Sequence, residues 1–247
     1  MKSDVLNLIE RVIVIKWCFV LLLLIVSQHC AAKLTVVTEN FAPAQYLDAN
    51  NNLVGDAADI VRLVLDSAGI DYSISVNDWS MTYNIALRDP QTCIFSISRS
   101  PERESSFVWF AKLAQFDTNF YSLKNKGIVL TSLEQAKQYR IAVLKDNYSH
   151  HYLLSQGFKE NENLMLFNSF DNIFKIIKAR SSSIDLVVIP AQRISHEQSH
   201  LLSKLQLEPL MPINANQAPL YFACNKNLPN KLKQQLSTAF ALYESQL

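Results

Sequence analysis

Glycine is scarce, four residues in 247, and none sits in the Gly-rich loop that cradles a phosphate. A nucleophile elbow and a paired-cysteine redox motif are absent as well, which removes two common enzymatic constellations. No polybasic block and no interleaving of aromatics with Lys and Arg is present, so the counterion-displacing surface that nucleic acid requires is missing. Nor does any apolar run reach the roughly 20 residues of a membrane-spanning helix. The longest, Trp17 to Val26, is about half that length, and extending it back through Val12 to Ile15 would bury Lys16. What remains is 49% apolar and 18% charged, the composition of a globular protein with a sizeable core, which excludes disordered and fibrous classes.

The apolar run is preceded by Lys2, Arg11 and Lys16 and followed by Ala31 and Ala32. That is the layout of a cleavable secretory signal covering residues 1–32, with cleavage expected after Ala32 and the mature chain exported. Cys30 offers a lipid-anchored alternative, but Ser27-Gln28-His29 lacks the leucine and small residue of such a site. Without Lys2, Arg11, Lys16, Asp4 and Glu10, the 23 basic and 22 acidic residues fall to 20 of each, so the mature chain is near neutral. Cys93 and Cys224 are the cysteines left. In an oxidising compartment they bridge, or they stay buried as free thiols; the sequence leaves both open.

Along the mature chain, short apolar strands alternate with amphipathic helices, which predicts an α/β protein with mostly parallel sheets. Leu34 to Thr38 reads as the first strand. Ala57, Ile60, Val61, Val64, Leu65 and Ala68 recur at three-and-four spacing, predicting a helix from about Asp56 that Gly69 ends. Ile70, Tyr72, Ile74 and Val76 alternate with polar residues as a half-wet strand does. A helix over Trp79–Arg88 and a strand over Cys93–Ile97 follow, and a further strand over Phe116–Lys124 leads away from this first unit. A second unit repeats the pattern: strand 140–144, helix 149–156, strand 164–167, helix 170–179, strand 185–189 and a helix from Ala191. After a stretch carrying Pro209, Pro212 and Pro219, a strand over 220–224 and a helix from about Pro229 close the chain.

The segment Cys93-Ile94-Phe95-Ser96-Ile97-Ser98-Arg99-Ser100-Pro101-Glu102-Arg103-Glu104 resembles the strand and loop of the family 3 periplasmic solute-binding proteins, the amino-acid-binding partners of ABC importers. Thr38 to Pro43 with Tyr46-Leu47-Asp48 and Leu53-Val54-Gly55 is similar to that family's opening strand and loop. Trp79 with Tyr83-Asn84 looks like a helix start of one subgroup, and Ile141 to Asn147 resembles the first strand and ligand loop of its second lobe. The resemblance implies a two-lobed, type II fold. Residues 33–122 and 217–247 would form lobe 1 and 123–216 an inserted lobe 2, with a ligand held where strand ends and helix N-termini face the cleft. It further implies hinge closure, a small-molecule ligand, a monomer, no cofactor, and an ABC permease or a membrane sensor as partner.

On that resemblance, Arg103 is the ligand-carboxylate arginine, a role that suits a planar fork with parallel charge-assisted donors. Ser96 and Ser98 offer strand-end hydroxyls or backbone groups, Phe41 stacks over the ligand, Trp79 forms another wall, and Asp146, Asn147 and Tyr148 form the facing loop. Bland readings stand beside these: Arg103 paired on the surface with Glu102 or Glu104, the serines simply facing outward, Phe41 and Trp79 filling cores. Two departures matter. Where relatives carry the carboxylate that holds a ligand ammonium, this chain has Pro190; Glu39, Asp146 or Asp171 would have to substitute, or the ligand carries no α-ammonium. Met81 stands where the subgroup often has arginine.

His196-Glu197-Gln198-Ser199-His200 satisfies the zinc-protease spacing, two histidines one helical turn apart with a glutamate to activate water. The pattern lies in a polar helix without the extended Gly-and-His version, so a solvated face is the expected reading, and His150 and His151 read as surface or cleft-edge residues. The sequence therefore favours a non-enzymatic binding protein, with a sensor module and a zinc hydrolase as alternatives.

Overall fold

The computed structural model describes residues 33–179, 181–200, 207–214 and 219–246, with residues 181 and 197–200 described by their backbone only. The expected signal segment and Cys30 lie outside these residues. No helix among them is long and apolar enough to cross a membrane.

The first half builds strands β1 (Leu34–Thr38), β2 (Tyr46–Leu47) and β3 (Leu53–Val54), helix α1 (Asp56–Ser67), β4 (Tyr72–Val76), α2 (Trp79–Arg88), β5 (Thr92–Ser98), α3 (Pro101–Glu104), β6 (Phe107–Gln115) and β7 (Thr118–Leu123). The second half adds α4 (Leu133–Ala136), β8 (Ile141–Leu144), α5 (Tyr148–Ser155), β9 (Leu164–Phe167), α6 (Phe170–Ala179), β10 (Leu186–Pro190), α7 (Ala191–His200), β11 (Leu207–Pro212), β12 (Pro219–Asn225) and α8 (Asn230–Glu244). These elements make two five-stranded sheets, ordered β4-β1-β5-β12-β6 and β11-β7-β10-β8-β9, and β2 pairs with β3 as a hairpin.

Each sheet is mixed. In the first, β1 runs parallel to β4 and β5, while β12 lies antiparallel between β5 and β6. In the second, β8 runs parallel to β9 and β10, and β7 is antiparallel to β10 and β11. The central parallel strands are covered on both faces, so β8 (Ile-Ala-Val-Leu) is buried at every position, whereas β4 at the edge of the first sheet alternates. Its Ile141 and Val143 enter a core with Phe158 and Leu186, while Ala142 and Leu144 face a larger core shared with the first sheet. The chain changes sheets between Gln115 and Thr118, because β7 pairs with β10 and β11. The expected boundary near residue 122 would have left that strand with the first lobe.

Beyond the two-residue β2 and β3, two strands escape the sequence reading. β6 opens on the apolar run Phe107-Val108-Trp109-Phe110, which shows no two-residue alternation. β11 contains Pro209 and Pro212, yet it lies at a sheet edge, where a missing N–H disturbs no second ladder. Cys93 and Cys224 are register partners on β5 and β12 and are joined by a disulfide, closing the alternative the sequence left open. Gly55, at the start of α1, has φ +112°, and a Cβ there would lie 2.5 Å from the Ala44 carbonyl oxygen and 2.6 Å from that of Pro43. Only glycine lets the helix start against the loop that carries Phe41.

Candidate functional site

The C-terminal ends of β1 and β5 carry Glu39, Ser96 and Ser98 to one wall of a cleft, and the start of α5 brings Asn147 and Tyr148 to the other. Eight of the nine sequence-predicted residues line it: Glu39, Phe41, Trp79, Ser96, Ser98, Arg103, Asn147 and Tyr148. Asp146 is not among the lining side chains and contributes through its backbone. The cleft also takes Phe116, Thr118, Phe170, Pro190, Ile213 and Asn214, which local sequence patterns did not single out as ligand groups.

Arg103 is 2% exposed. Its Nη1 donates to the Ser98 carbonyl at 3.0 Å and its Nη2 to the Asp146 carbonyl at 2.7 Å, the second bond joining the two sheets' connecting segments. The guanidinium lies 5.3 Å from the Trp79 ring and 5.0 Å from that of Tyr83, a residue the sequence reading gave no role. Burial draws its pKa below the ordinary arginine value, opposed by the nearby Tyr83. A guanidinium has five N–H donors, so the two main-chain bonds hold the group in place and leave donors for an anion in the cleft. The surface alternative fails for Arg103: it is Arg99 that pairs with Glu104, through Nε at 2.8 Å.

Among the described residues, Glu39 is the only carboxylate that lines the cleft, and it is 8% exposed. Burial pushes its pKa from 4.5 up to about 8, against the pull of Arg193 and Arg103. Ser96, at φ +61°, donates its Oγ to Gln45 Oε1 at 2.7 Å. Phe41 packs its ring 5.3 Å from Phe116 and 5.7 Å from Phe170, an aromatic group drawn from both sides of the cleft. Asn147 caps α5, its Oδ1 accepting the His150 N–H at 2.8 Å, and the Tyr148 hydroxyl accepts from Asn214 Nδ2 at 3.0 Å.

Pro190 ends β10 on the cleft wall, where it offers neither charge nor N–H. Asp171 does not stand in for it. Its carboxylate accepts Arg193 Nη2 at 2.7 Å, and Arg193 Nη1 donates to the Asn40 carbonyl at 2.8 Å. The Arg193 guanidinium also packs over Phe170 and Phe174, 1% exposed, so this ion pair is a structural tie from α6 and α7 to the segment after β1. Met81 is 57% exposed and outside the cleft lining.

Asp146, His150 and His151 are the one group of metal-ligating side chains that converges among the described residues, one ligating atom of each lying within 4.8 Å of the others. His150 Nδ1 already accepts the Asp146 amide at 3.1 Å, so the group is a hydrogen-bonded tie and not an open coordination site. Of the zinc-protease pattern, His196 lies on α7 with its ring 4.8 Å from that of Tyr46. The side chains of Glu197 and His200 lie outside the described residues.

No protein-family model matches the chain, and no curated protein matches it. Solved structures do. A histidine kinase sensor domain with similarity to periplasmic binding proteins superimposes with a TM-score of 0.75 at 16% identity, over 87% of this chain and 91% of that one. An ancestral arginine-binding protein bound to arginine gives 0.75 at 17% identity, over 88% and 94%. The arginine-, lysine-, histidine-binding protein ArtJ from Geobacillus stearothermophilus gives 0.73 at 16% identity, over 87% and 90%. Identities this low speak for architecture alone, and the architecture agrees across nearly the whole length of each: the chain has the two-lobed α/β fold of periplasmic binding proteins.

Proposed function

We propose that this protein is an exported solute-binding protein, with no catalytic activity, that closes two lobes on a small carboxylate-bearing ligand, an amino acid or a related organic acid. One lobe is built on the first sheet, from Lys33 to the crossover after Gln115 together with β12 and α8. The other is built on the second. The observation that carries the reading is Arg103, a guanidinium held rigid by main-chain carbonyls and two aromatic rings at the wall of a cleft lined from both sheets. Such a group is pre-organised for a carboxylate, and most of its own ordering cost falls on folding, not on binding.

Glu39 is the acceptor for a ligand ammonium in the place where Pro190 provides none. Phe41, Phe116 and Phe170 supply the apolar wall, and Asn147, Tyr148 and the two serines supply polar contacts. Ser96 donates to Gln45, an amide and not a general base, which supports binding over acyl transfer. Export agrees with the Cys93–Cys224 disulfide, a bond kept in oxidising compartments. Delivery to an ABC permease is the first expectation for a monomeric chain of this fold. The sensor reading is favoured by one observation, the likeness to a kinase sensor domain, and the two share the same ligand step.

A thermal-shift panel of amino acids and other small acids tests the reading. A true ligand raises Tm with the logarithm of its concentration over its Kd. Arg103→Ala should abolish that shift; a variant that still responds to the same ligand removes Arg103 from the site.

A further inference from the structure

β8 ends at Leu144, and the chain enters α5 through Lys145, Asp146 and Asn147. Asp146 sits at φ +59°, the left-handed region that side-chain-bearing residues enter only when something holds them there. The His150 imidazole, 2% exposed, accepts the Asp146 N–H at Nδ1, 3.1 Å away. The carbonyl of the same residue accepts Arg103 Nη2 at 2.7 Å. Asp146 is thus gripped through its N–H by a ring of its own lobe and through its C=O by the guanidinium of the other. An imidazole that accepts at Nδ1 and is neutral carries its proton on Nε2, and His150 Nε2 lies 3.0 Å from Glu160 Oε1.

We propose that His150 is a positioning residue for the ligand cleft: its neutral ring, accepting at Nδ1, fixes the left-handed turn that presents the Asp146 carbonyl to Arg103, and protonation of the ring releases that turn. This placement of Arg103 is the same whichever ligand the cleft takes.

A protonated ring points an N–H from Nδ1 at the N–H of Asp146, so one buried hydrogen bond is lost and two donors face each other. The charged groups around the ring come from three places. Glu160, from the segment before β9, and Asp146, from the ring's own loop, favour the cation. His151, next on α5, opposes it, and Arg103 and Glu102 of α3 act on His151 in turn. Burial outweighs the carboxylates and holds His150 below the ordinary histidine value of 6.5. The turn is therefore held at neutral pH and let go as pH falls below that value.

The test is ¹H–¹⁵N NMR of the full chain from pH 4.5 to 8, run in a Glu39→Gln background so that this carboxyl does not titrate beside Arg103. The expected result is a His150 ring protonated on Nε2 at pH 7.5, with the Asp146 amide and Arg103 guanidinium signals moving together as His150 titrates, at a midpoint below 6.5. His150→Asn places an amide oxygen near the position of Nδ1 and does not titrate, so both signals should keep their neutral-pH positions down to pH 5. His150→Leu fills space without an acceptor, and the Arg103 signals should be displaced at every pH. A His150 ring protonated on Nδ1 at neutral pH, Arg103 signals indifferent to His150 titration, or a leucine variant with undisturbed Arg103 signals would overturn the proposal. The titration of His150 itself stands without either substitution, so a variant that does not fold leaves the test intact.

Discussion

Removing the charge of Glu39 should stabilise the ligand-free protein, by an amount set by pH. The carboxyl is buried, no hydrogen bond reaches it from the described residues, and its pKa stands at about 8 against 4.5. A group whose folded pKa is raised contributes fully below its unfolded value and loses that contribution as pH rises through the folded one. Below pH 4.5 the side chain is protonated folded or unfolded, and Glu39→Gln changes little. Between pH 4.5 and 8 the unfolded chain ionises while the folded chain resists, at about 1.4 kcal/mol per pH unit. By pH 7 the wild type therefore carries a penalty of roughly 3 kcal/mol that glutamine, similar in size and uncharged, lacks. Urea unfolding of both proteins at half-unit steps from pH 4 to 9 measures the gap. Curves that stay parallel across that range, or a glutamine variant that is less stable at pH 7, would refute the reasoning. The same carboxyl reports on the ligand: an ammonium bound beside it should drive off close to one proton at pH 7, read by calorimetry in buffers of different ionisation enthalpy, while an acid without an ammonium releases none.

Two further outcomes follow from buried or long-range contacts. Asp171→Ala removes the half-exposed carboxylate from the buried Arg193 guanidinium and should cost about 2 kcal/mol in urea unfolding, less than a fully buried pair because solvent screens Asp171, whereas a loss under 1 kcal/mol would show that the Asn40 carbonyl and the two phenylalanines suffice. Reducing the Cys93–Cys224 disulfide, which spans 131 residues, should lower stability by on the order of 3–5 kcal/mol, seen as a fall in Tm under reductant that a Cys93→Ala/Cys224→Ala double variant does not show.

The alternation of strands and helices was legible because each period is local. The three-and-four spacing of α1 and the continuous apolar runs of β8 and β10 need no knowledge of partners. β6 and β11 were not, since a run of four apolar residues and two prolines make sense only once the neighbouring strand or free edge is known. The site divides along the same line. Ser96, Ser98 and Arg103 lie within eight residues and are joined by local geometry, and Asn147 and Tyr148 follow directly from a strand end. Phe116, Phe170, Ile213 and Asn214 come from separated segments and meet them only through topology. Asp171, a candidate for the ammonium on charge alone, is excluded by Arg193, 22 residues away and one strand later. The αL turn at Asp146 and its tie to His150 left no mark in the residue pattern, because a left-handed aspartate is recognisable only from its backbone angles.

The crystal structure of a complex with the ligand that raises Tm most would test the central claim most directly. The account predicts a carboxylate within about 3 Å of two Arg103 nitrogens, enclosed by Phe41 on one side and the Asn147–Tyr148 loop on the other. A ligand bound elsewhere, or one whose acid group lies beyond reach of that guanidinium, would contradict it.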